Sequence, residues 1–189
     1  NNYTYRISDI IVNDEDLAYV IDFEPKQSSD PAMFRGTMYI NTVDYALLHA
    51  DFEIYPKFLD KMKEAFVSSP SHRFNTWPVS VKYSVSYRKF NERYYLNHVR
   101  GDLQFIAKKK RRLFNSQFNV FFELAITGID LKNVVRFERD ELAPIHSIFS
   151  RTIVDYDRAF WGDQDFLKPE DNLLNAIKEM KVRLSEFSE

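Results

Sequence analysis

The fold is decided by residues 79–127, which read VSVKYSVSYRKFNERYYLNHVRGDLQFIAKKKRRLFNSQFNVFFELAIT. Apolar and polar side chains alternate strictly at the start of this stretch. Because successive side chains of a β-strand point to opposite faces of a sheet, the alternation predicts a half-buried antiparallel strand. One predicted face carries Val79, Val81, Tyr83, Val85 and Tyr87, and the other carries Ser80, Lys82, Ser84, Ser86 and Arg88.

Two further strands follow in the same stretch, after a reversal at Asn91-Glu92. The first is predicted to place Tyr95, Val99, Leu103 and Phe105 opposite His98, Arg100, Asp102 and Gln104. The second is predicted to place Phe114, Phe118, Val120, Phe122, Leu124 and Ile126 opposite Asn115, Gln117, Asn119 and Glu123. Three strands of about 12 to 15 residues with short reversals predict a meander that must coil or bend.

Four strands and a helix are predicted before this meander. The strands are Tyr3–Asn13, Leu17–Glu24, Phe34–Asn41 and Tyr45–Tyr55, the last with faces that the pattern does not assign. Pro56 begins the helix, because proline suits the first helical position. Phe58, Leu59, Met62 and Phe66 recur on one side of it. Residues 71–78 are predicted to form a loop between this helix and the meander.

Less regular sequence follows the meander. Residues Ile129–Arg139 are predicted to add an eighth strand, and a second helix begins at Lys168–Asp171 with acids in its first turn. The predicted fold is therefore α+β. A long curved antiparallel sheet of seven or eight strands packs against a mid-chain helix and a C-terminal helix, in a half-barrel-like arrangement. No linker-like stretch interrupts residues 1–189, which predicts a single domain, and the first residue is Asn1, which predicts a processed product or a segment of a longer protein.

Composition excludes several kinds of site. The 189 residues include no cysteine, which excludes disulfides, thiolate catalysis and cysteine-ligated zinc. The four glycines are scattered, which excludes glycine-rich loops that hold phosphates. The net charge of −2 gives no global attraction to nucleic acid. No run of about 18 apolar residues predicts a membrane-spanning helix, and no cofactor is predicted.

The apolar face of the meander has two interpretations. As a plain core it is filled by the helices and binds no ligand. As a concave sheet that the helices cover incompletely, it encloses an apolar cavity for an acyl chain or another lipid-like ligand. Both need the same alternation, so the sequence leaves them open. The candidate ligand-facing residues are Phe58, Met62, Phe66, Tyr83, Val85, Tyr87, Tyr95, Val99, Phe118 and Phe122.

A basic run is the strongest local charge feature of the chain. It consists of Lys108, Lys109, Lys110, Arg111 and Arg112. Within a strand, alternate members would point into the core, where an unpaired charge is prohibitive. The run is therefore predicted at a hairpin tip or on a strand that extends past the core. It has two interpretations: contact with an anionic lipid surface or another acidic partner, or a solvated tip that discourages edge pairing.

One strand face brings together three polar residues that a catalytic site could use. These are His98, Arg100 and Asp102, and Gly101 between them is predicted to allow a bend or bulge. The four histidines of the chain have no zinc-binding spacing. A catalytic triad cannot be inferred from scattered residues. The sequence therefore predicts no enzyme, no catalytic residue and no metal site.

Several segments resemble a family of bacterial envelope proteins that carry a carboxypeptidase-like regulatory domain at their N-terminus. The segment FRGTMYIN (residues 34–41) with YALL (residues 45–48) is similar to that family's pattern F-x-G-x-I-Y-I-D … T-Y-x-I. The segments YYLNHVRG (94–101), FELAIT (122–127) and FWGD (160–163) are similar to its C-terminal part. The resemblance covers most of the chain. It implies the C-terminal portion of such a protein, in the periplasm or associated with the outer membrane.

The order of strands and helices is also similar to the outer-membrane lipoprotein carrier (LolA-like) fold, a half-open barrel closed by helices around an apolar cavity. The function predicted from all of this is a non-enzymatic envelope binding module that holds a lipid or a lipoprotein acyl chain between sheet and helices. The alternative is a structural or protein-interaction domain with a filled core, whose partner is another envelope protein. No nucleic acid is predicted as a partner, and membrane contact, if any, is peripheral.

Overall fold

In the computed structural model the chain divides into two compact units, Asn1–Ile126 and Thr127–Glu189. The structure describes residues 2–13, 16–26, 34–67, 72–111, 114–132, 134–140 and 142. The strands among these residues all belong to the first unit. The organisation of the whole chain as a single domain stays a prediction.

The first unit is an open antiparallel sheet of seven strands. The strands are β1 (Tyr3–Asn13), β2 (Asp16–Pro25), β3 (Phe34–Asn41), β4 (Leu47–Ile54), β5 (Phe74–Phe90), β6 (Arg93–Lys109) and β7 (Asn115–Ala125). They lie side by side in sequence order, each antiparallel to the next. The predicted antiparallel meander is thereby confirmed. The eighth strand is wrong, because the described residues 126–132 and 134–140 contain no strand, and the predicted C-terminal helix lies outside the described residues.

The predicted mid-chain helix is shorter and less regular than the sequence suggests. It consists of two 3₁₀ turns, Pro56–Phe58 and Asp60–Met62, followed by one α-helical turn, α1 (Lys63–Phe66). None of the three is capped by a side-chain hydrogen bond. An uncapped helix of this length is marginal in water, so packing against the sheet decides its geometry.

Strand β5 begins earlier than predicted and contains a proline. The residues from Phe74 onward pair with β6, so the predicted loop over 71–78 is wrong for this part. Pro78 pairs with Phe105, and the register shifts immediately afterwards, at Val79. Proline has no N–H to donate and is tolerated beside a bulge. Strand β5 therefore includes Pro78, which the sequence placed in the preceding loop.

A second bulge changes the faces of β6. Val85 pairs with Val99, but Tyr87 pairs with Leu96 and Arg88 with Tyr95, because Asn97 is an extra residue in β6. Tyr95 therefore lies on the opposite face of the sheet from Val99, and the prediction that they share a face is wrong. The bulge lies at Asn97, and the pairing of Gly101 with Tyr83 is regular.

The core lies where the helical turns cover the apolar face of the sheet. Phe58 and Leu59 are buried against Ile54, Val81, Leu103 and Phe105. Met62, Phe66 and Val67 pack around this cluster, as do Tyr3 and Phe34 from the sheet. Burying an aliphatic or aromatic side chain of this size stabilises a fold by about 1.5 to 3 kcal/mol, which holds the short turns in place.

A row of aromatic residues and glycines crosses the whole apolar face. The strand register aligns Tyr5, Phe23, Gly36, Phe52, Tyr83, Gly101 and Phe122 in that order. The ring of Tyr83 lies 5.4 Å from that of Phe52 and 6.4 Å from that of Phe122, centroid to centroid. A Cβ on Gly101 would meet the ring of Phe122. The two glycines therefore make room for the neighbouring aromatic residues.

Candidate functional site

The polar face of the sheet contains a groove of about 830 Å³. This volume falls within the range of about 300 to 1,000 Å³ found for ligand sites. Residues of six strands, β1 to β6, line it. We call it the polar groove, since its charged lining residues are Arg6, Asp22, Glu24, Arg35, Asp51, Glu53, Lys82 and Asp102.

The strand register brings these charges together in rows. One row runs Arg35, Glu53, Lys82 and Asp102, so that positive and negative side chains alternate from β3 to β6. A neighbouring row runs Arg6, Asp22, Thr37, Asp51, Ser84, Arg100 and Glu123. Opposite charges directly across neighbouring strands stabilise a sheet by about 0.2 to 1 kcal/mol per pair.

Most of the groove charges on β1 to β4 are held by short hydrogen bonds. Arg6 Nη2 donates to Asp22 Oδ2 over 3.0 Å, and Thr37 Oγ1 donates to Asp22 Oδ1 over 2.9 Å. Arg35 Nε donates to Glu53 Oε1 over 2.7 Å. The hydrogen bonds from Arg6 and Thr37 lower the pKa of Asp22. These bonds orient the lining side chains toward their partners across the sheet.

At the β6 side of the groove, one arginine holds two carboxylates. Arg100 Nε and Nη2 donate to the two oxygens of Asp102 over 2.8 and 3.0 Å, and Nη1 donates to Glu123 Oε1 over 2.9 Å. The guanidinium carbon also lies 5.5 Å from the ring centre of Phe121. The hydrogen bonds with Arg100 lower the pKa of Asp102, and those with Asp102 raise the pKa of Arg100.

The predicted polar trio is therefore only partly assembled. Arg100 and Asp102 are in direct contact, whereas His98 lies with its Nε2 3.9 Å from Glu123 Oε1. A carboxylate whose pKa is lowered is a weak general base near neutral pH. Arg100 with its two carboxylates is chemically suited to hold charges in fixed positions.

The structure also brings together a histidine, a serine and an aspartate that the sequence did not single out. His49 Nε2 lies 3.4 Å from Ser84 Oγ and 3.0 Å from Asp51 Oδ2. In a catalytic triad the serine and the acid contact different ring nitrogens. Here both contact the same nitrogen, so the arrangement differs from that of a triad. An assignment of the β4 faces would have placed His49 and Asp51 on one face, but the contact with Ser84 depends on the register between β4 and β5.

Residues 1–101 match the model of a protein family that is described as a family of unknown function, DUF5686. The chain belongs to the DUF5686 family. The matched residues of this DUF5686 chain run from β1 to Gly101 in β6 and include every residue that lines the polar groove except Asp102. No curated protein and no solved structure matches the chain.

The apolar residues that the sequence singled out in the DUF5686 chain lie in different surroundings. Phe58, Met62 and Phe66 belong to or pack against the buried core. Val85 and Val99 form a cross-strand pair, and Tyr87 is half-buried beside them. Tyr83 is half-buried in the aromatic row, where burial raises the pKa of its hydroxyl. Phe118 and Phe122 remain 40% and 46% exposed on β7, and Tyr95 lies on the other face.

The basic run of the DUF5686 chain lies at a hairpin tip, as the sequence predicts. Lys108 and Lys109 are the last residues of β6, and Lys110 and Arg111 lie in the turn that follows. All four are exposed, and Arg112 lies outside the described residues.

The described residues of the DUF5686 chain offer no group of three or more histidine and carboxylate side chains placed to hold a metal ion. In the same part of the chain, no helix has the length and apolar character that crossing a membrane requires.

The lowered pKa values at the polar groove predict loss of stability in acid. Because the pKa of Asp22 and of Asp102 is lowered in the fold, the unfolded chain binds more protons than the folded one around pH 4. The stability from these groups is therefore fully present above about pH 5 and is lost as pH falls through the lowered pKa values. Denaturant unfolding between pH 7 and pH 3 measures this loss.

An Asp102→Asn variant provides the internal comparison. This variant lacks one of the two carboxyl groups whose pKa is lowered. Its free energy of unfolding is therefore expected to fall less steeply between pH 5 and pH 3 than that of the original protein. Asp60→Asn, which removes an exposed carboxylate outside the polar groove, serves as the control. Identical pH slopes for the original protein and Asp102→Asn would contradict the prediction.

Proposed function

We propose that this chain is a non-enzymatic binding module of the bacterial envelope, which binds a segment of another envelope protein in its polar groove. The observation that supports this function is the groove itself, with about 830 Å³ lined by charged side chains of both signs. Because most of these side chains already contact an opposite charge within the sheet, they are partly oriented in the groove before a ligand binds.

Two of the groove charges are available to a partner. Within the described residues, neither Lys82 nor Glu24 forms a hydrogen bond or a close ion pair. Lys82 attracts Asp102 only at longer range, and the side chains of Lys82 and Glu24 are both exposed. One is a cation and the other an anion, so a ligand with both charges is complementary to them. A polypeptide segment has charges of both signs and backbone groups that can bond to the remaining lining, whereas an acyl chain has neither.

The packing of the helical turns supports a filled core. Phe58 and Leu59 are buried against Val81 and Phe105, the position at which an apolar ligand between sheet and helix would have to lie. The groove, in contrast, lies on the other face of the sheet. This arrangement favours the protein-interaction domain over the carrier of an acyl chain.

A lipid-like ligand on the apolar face is the second candidate function. It is supported by Phe118 and Phe122, which are 40% and 46% exposed and lie on β7, outside the buried cluster. In this interpretation the half-barrel and the C-terminal helix predicted from the sequence would enclose the ligand. The envelope setting of both candidates rests on the resemblance of residues 34–48, 94–101, 122–127 and 160–163 described above.

Site-specific crosslinking tests the groove as a protein-binding site. A photoreactive amino acid in place of Ser84, which lines the groove on the same strand as Lys82, leaves both available charges in place and is expected to form a crosslink to a discrete protein in the native envelope. The same amino acid at Lys89, which is exposed on that strand outside the groove, is expected to form none. Glu24→Lys reverses an available charge of the groove and should reduce the crosslink at position 84 by about tenfold.

The control for this experiment is Glu64→Lys, which makes the same charge change at an exposed residue of α1. It is expected to leave the crosslink unchanged. The same products from positions 84 and 89, or no response to Glu24→Lys, would exclude the polar groove as the binding site.

A further inference from the structure

Three segments of the chain meet at one end of the sheet. Phe74, at the start of β5, pairs with Lys109 at the end of β6, and Lys108 pairs with Asn115 at the start of β7. The backbone N–H of Lys110 donates to the carbonyl oxygen of Arg73 over 3.0 Å. We call this end of the sheet the basic tip, defined by Arg73, Phe74, Lys108, Lys109, Lys110, Arg111 and Phe114.

The charge of the basic tip is of one sign. Residues 72–76, 107–111 and 114–117 contain five lysines and arginines and no acidic residue. All five side chains are exposed. The mutual repulsion among Lys108, Lys109, Lys110 and Arg111 destabilises the isolated tip and is relieved when an anionic surface approaches. The chain as a whole has a net charge of −2, so this concentration of positive charge is local.

Aromatic rings are exposed among these cations. Phe114 is 86% exposed and Phe74 is 42% exposed. A phenylalanine in this position does not stabilise a hairpin tip that is merely solvated, because the aromatic ring exposes apolar surface to water. Cations next to exposed aromatic side chains are typical of protein segments that lie in the interface of a membrane.

We propose that the basic tip docks onto an anionic lipid surface. In this contact the lysines and arginines lie against the lipid phosphates, and the ring of Phe114 enters the boundary between headgroups and acyl chains. The contact is peripheral, and it uses the end of β5 to β7 rather than the polar groove. This lipid contact can therefore form whether or not the polar groove binds another envelope protein.

Vesicle binding of the full chain tests the proposal. The chain is expected to co-sediment with vesicles of phosphatidylcholine and phosphatidylglycerol at low salt, and not with vesicles of phosphatidylcholine alone. Each basic residue near an anionic membrane contributes about a fivefold change in affinity, so Lys108→Ser with Lys109→Ser should weaken binding by about 25-fold. Binding should also decline as salt is added.

The other end of the same strand pair provides the matched control. Lys89→Ser with Arg93→Ser removes two exposed cations next to the turn between β5 and β6, and it should leave vesicle binding within about twofold of the original chain. If the two double variants lose the same amount of vesicle affinity, the effect depends on net charge alone, and the assignment to the basic tip is overturned. Absence of binding to the anionic vesicles overturns the proposal outright.

Fluorescence tests the insertion of the aromatic ring separately. Phe114→Trp is expected to add an emission component that shifts to shorter wavelength when anionic vesicles are added, because the new indole leaves water. Phe90→Trp, at the other end of β5, is expected to show no such shift. If the Phe114→Trp chain binds the vesicles and the emission of its introduced indole stays unchanged, the insertion of residue 114 is contradicted. That outcome would favour a soluble acidic protein as the partner of the basic tip.

Discussion

Replacing Gly36 with alanine is expected to lower the free energy of unfolding by about 3 kcal/mol, which is a large fraction of the roughly 5 to 15 kcal/mol that stabilises a typical protein. A Cβ at this position would lie 2.6 Å from the Cα and 2.8 Å from the Cβ of Phe52, and would also overlap the carbonyl oxygen of Asp51. These atoms belong mainly to the backbone of β4, so the overlap can be relieved only by separating two central strands.

Gly101→Ala is the matched comparison. A Cβ there would overlap the ring of Phe122, approaching its Cζ to 2.5 Å. The obstacle is a side chain on β7 that is 46% exposed and can turn away, so a smaller loss of about 1 to 2 kcal/mol is expected. Adding Phe122→Ala to Gly101→Ala should recover part of this loss, whereas Phe52→Ala should recover little of the loss from Gly36→Ala.

Unfolding by urea, followed by circular dichroism, measures the single variants and the two double variants. Additive losses for Gly101→Ala and Phe122→Ala would contradict the contact between Gly101 and the ring, since residues that share a clash are expected to couple. A loss for Gly36→Ala no larger than that for Gly101→Ala would contradict the close approach of β3 and β4.

The order of the strands could be predicted from the sequence, because the period-2 alternation and the turn residues are local signals. Asn91 and Glu92 illustrate this. The predicted reversal is a two-residue turn with φ of 48° and 61° at these positions, which suits the right-handed twist of the two strands it joins. The bulges at Val79 and Asn97 could not be predicted, since they depend on which residues the partner strand offers across the sheet.

The polar groove could not be predicted for the same reason. Arg35, Glu53 and Lys82 are separated along the sequence by at least 18 positions, and their alternating charges become a row only through the register of the strand pairings. The alternation of apolar and polar residues within each strand predicts that one face of the sheet is polar. A sequence pattern by itself does not specify which polar side chains become neighbours across the sheet.

Replacing Phe58 with alanine is expected to lower the free energy of unfolding by about 3 to 5 kcal/mol, because it removes a buried ring and leaves a cavity. Phe58 is 7% exposed and packs with Ile54, Val81 and Phe105 at the place where the 3₁₀ turns meet the sheet. Phe114→Ala removes the same ring from a position that is 86% exposed, and a change within about 0.5 kcal/mol is expected there.

The same variant separates the two interpretations of the apolar face. If the core is filled, an apolar fluorescent probe is expected to show no displaceable binding to the original protein at this place. Phe58→Ala is then expected to create a binding site, since apolar cavities left by truncated side chains stay dry and accept apolar ligands. If Phe58 instead lines a cavity for an acyl chain, the original protein already binds the probe displaceably. Phe58→Ala would then change the affinity for the probe, and it would lower the free energy of unfolding by far less than about 3 kcal/mol, because a ring that borders a cavity has few packing partners to lose. That result would favour the carrier over the protein-interaction domain.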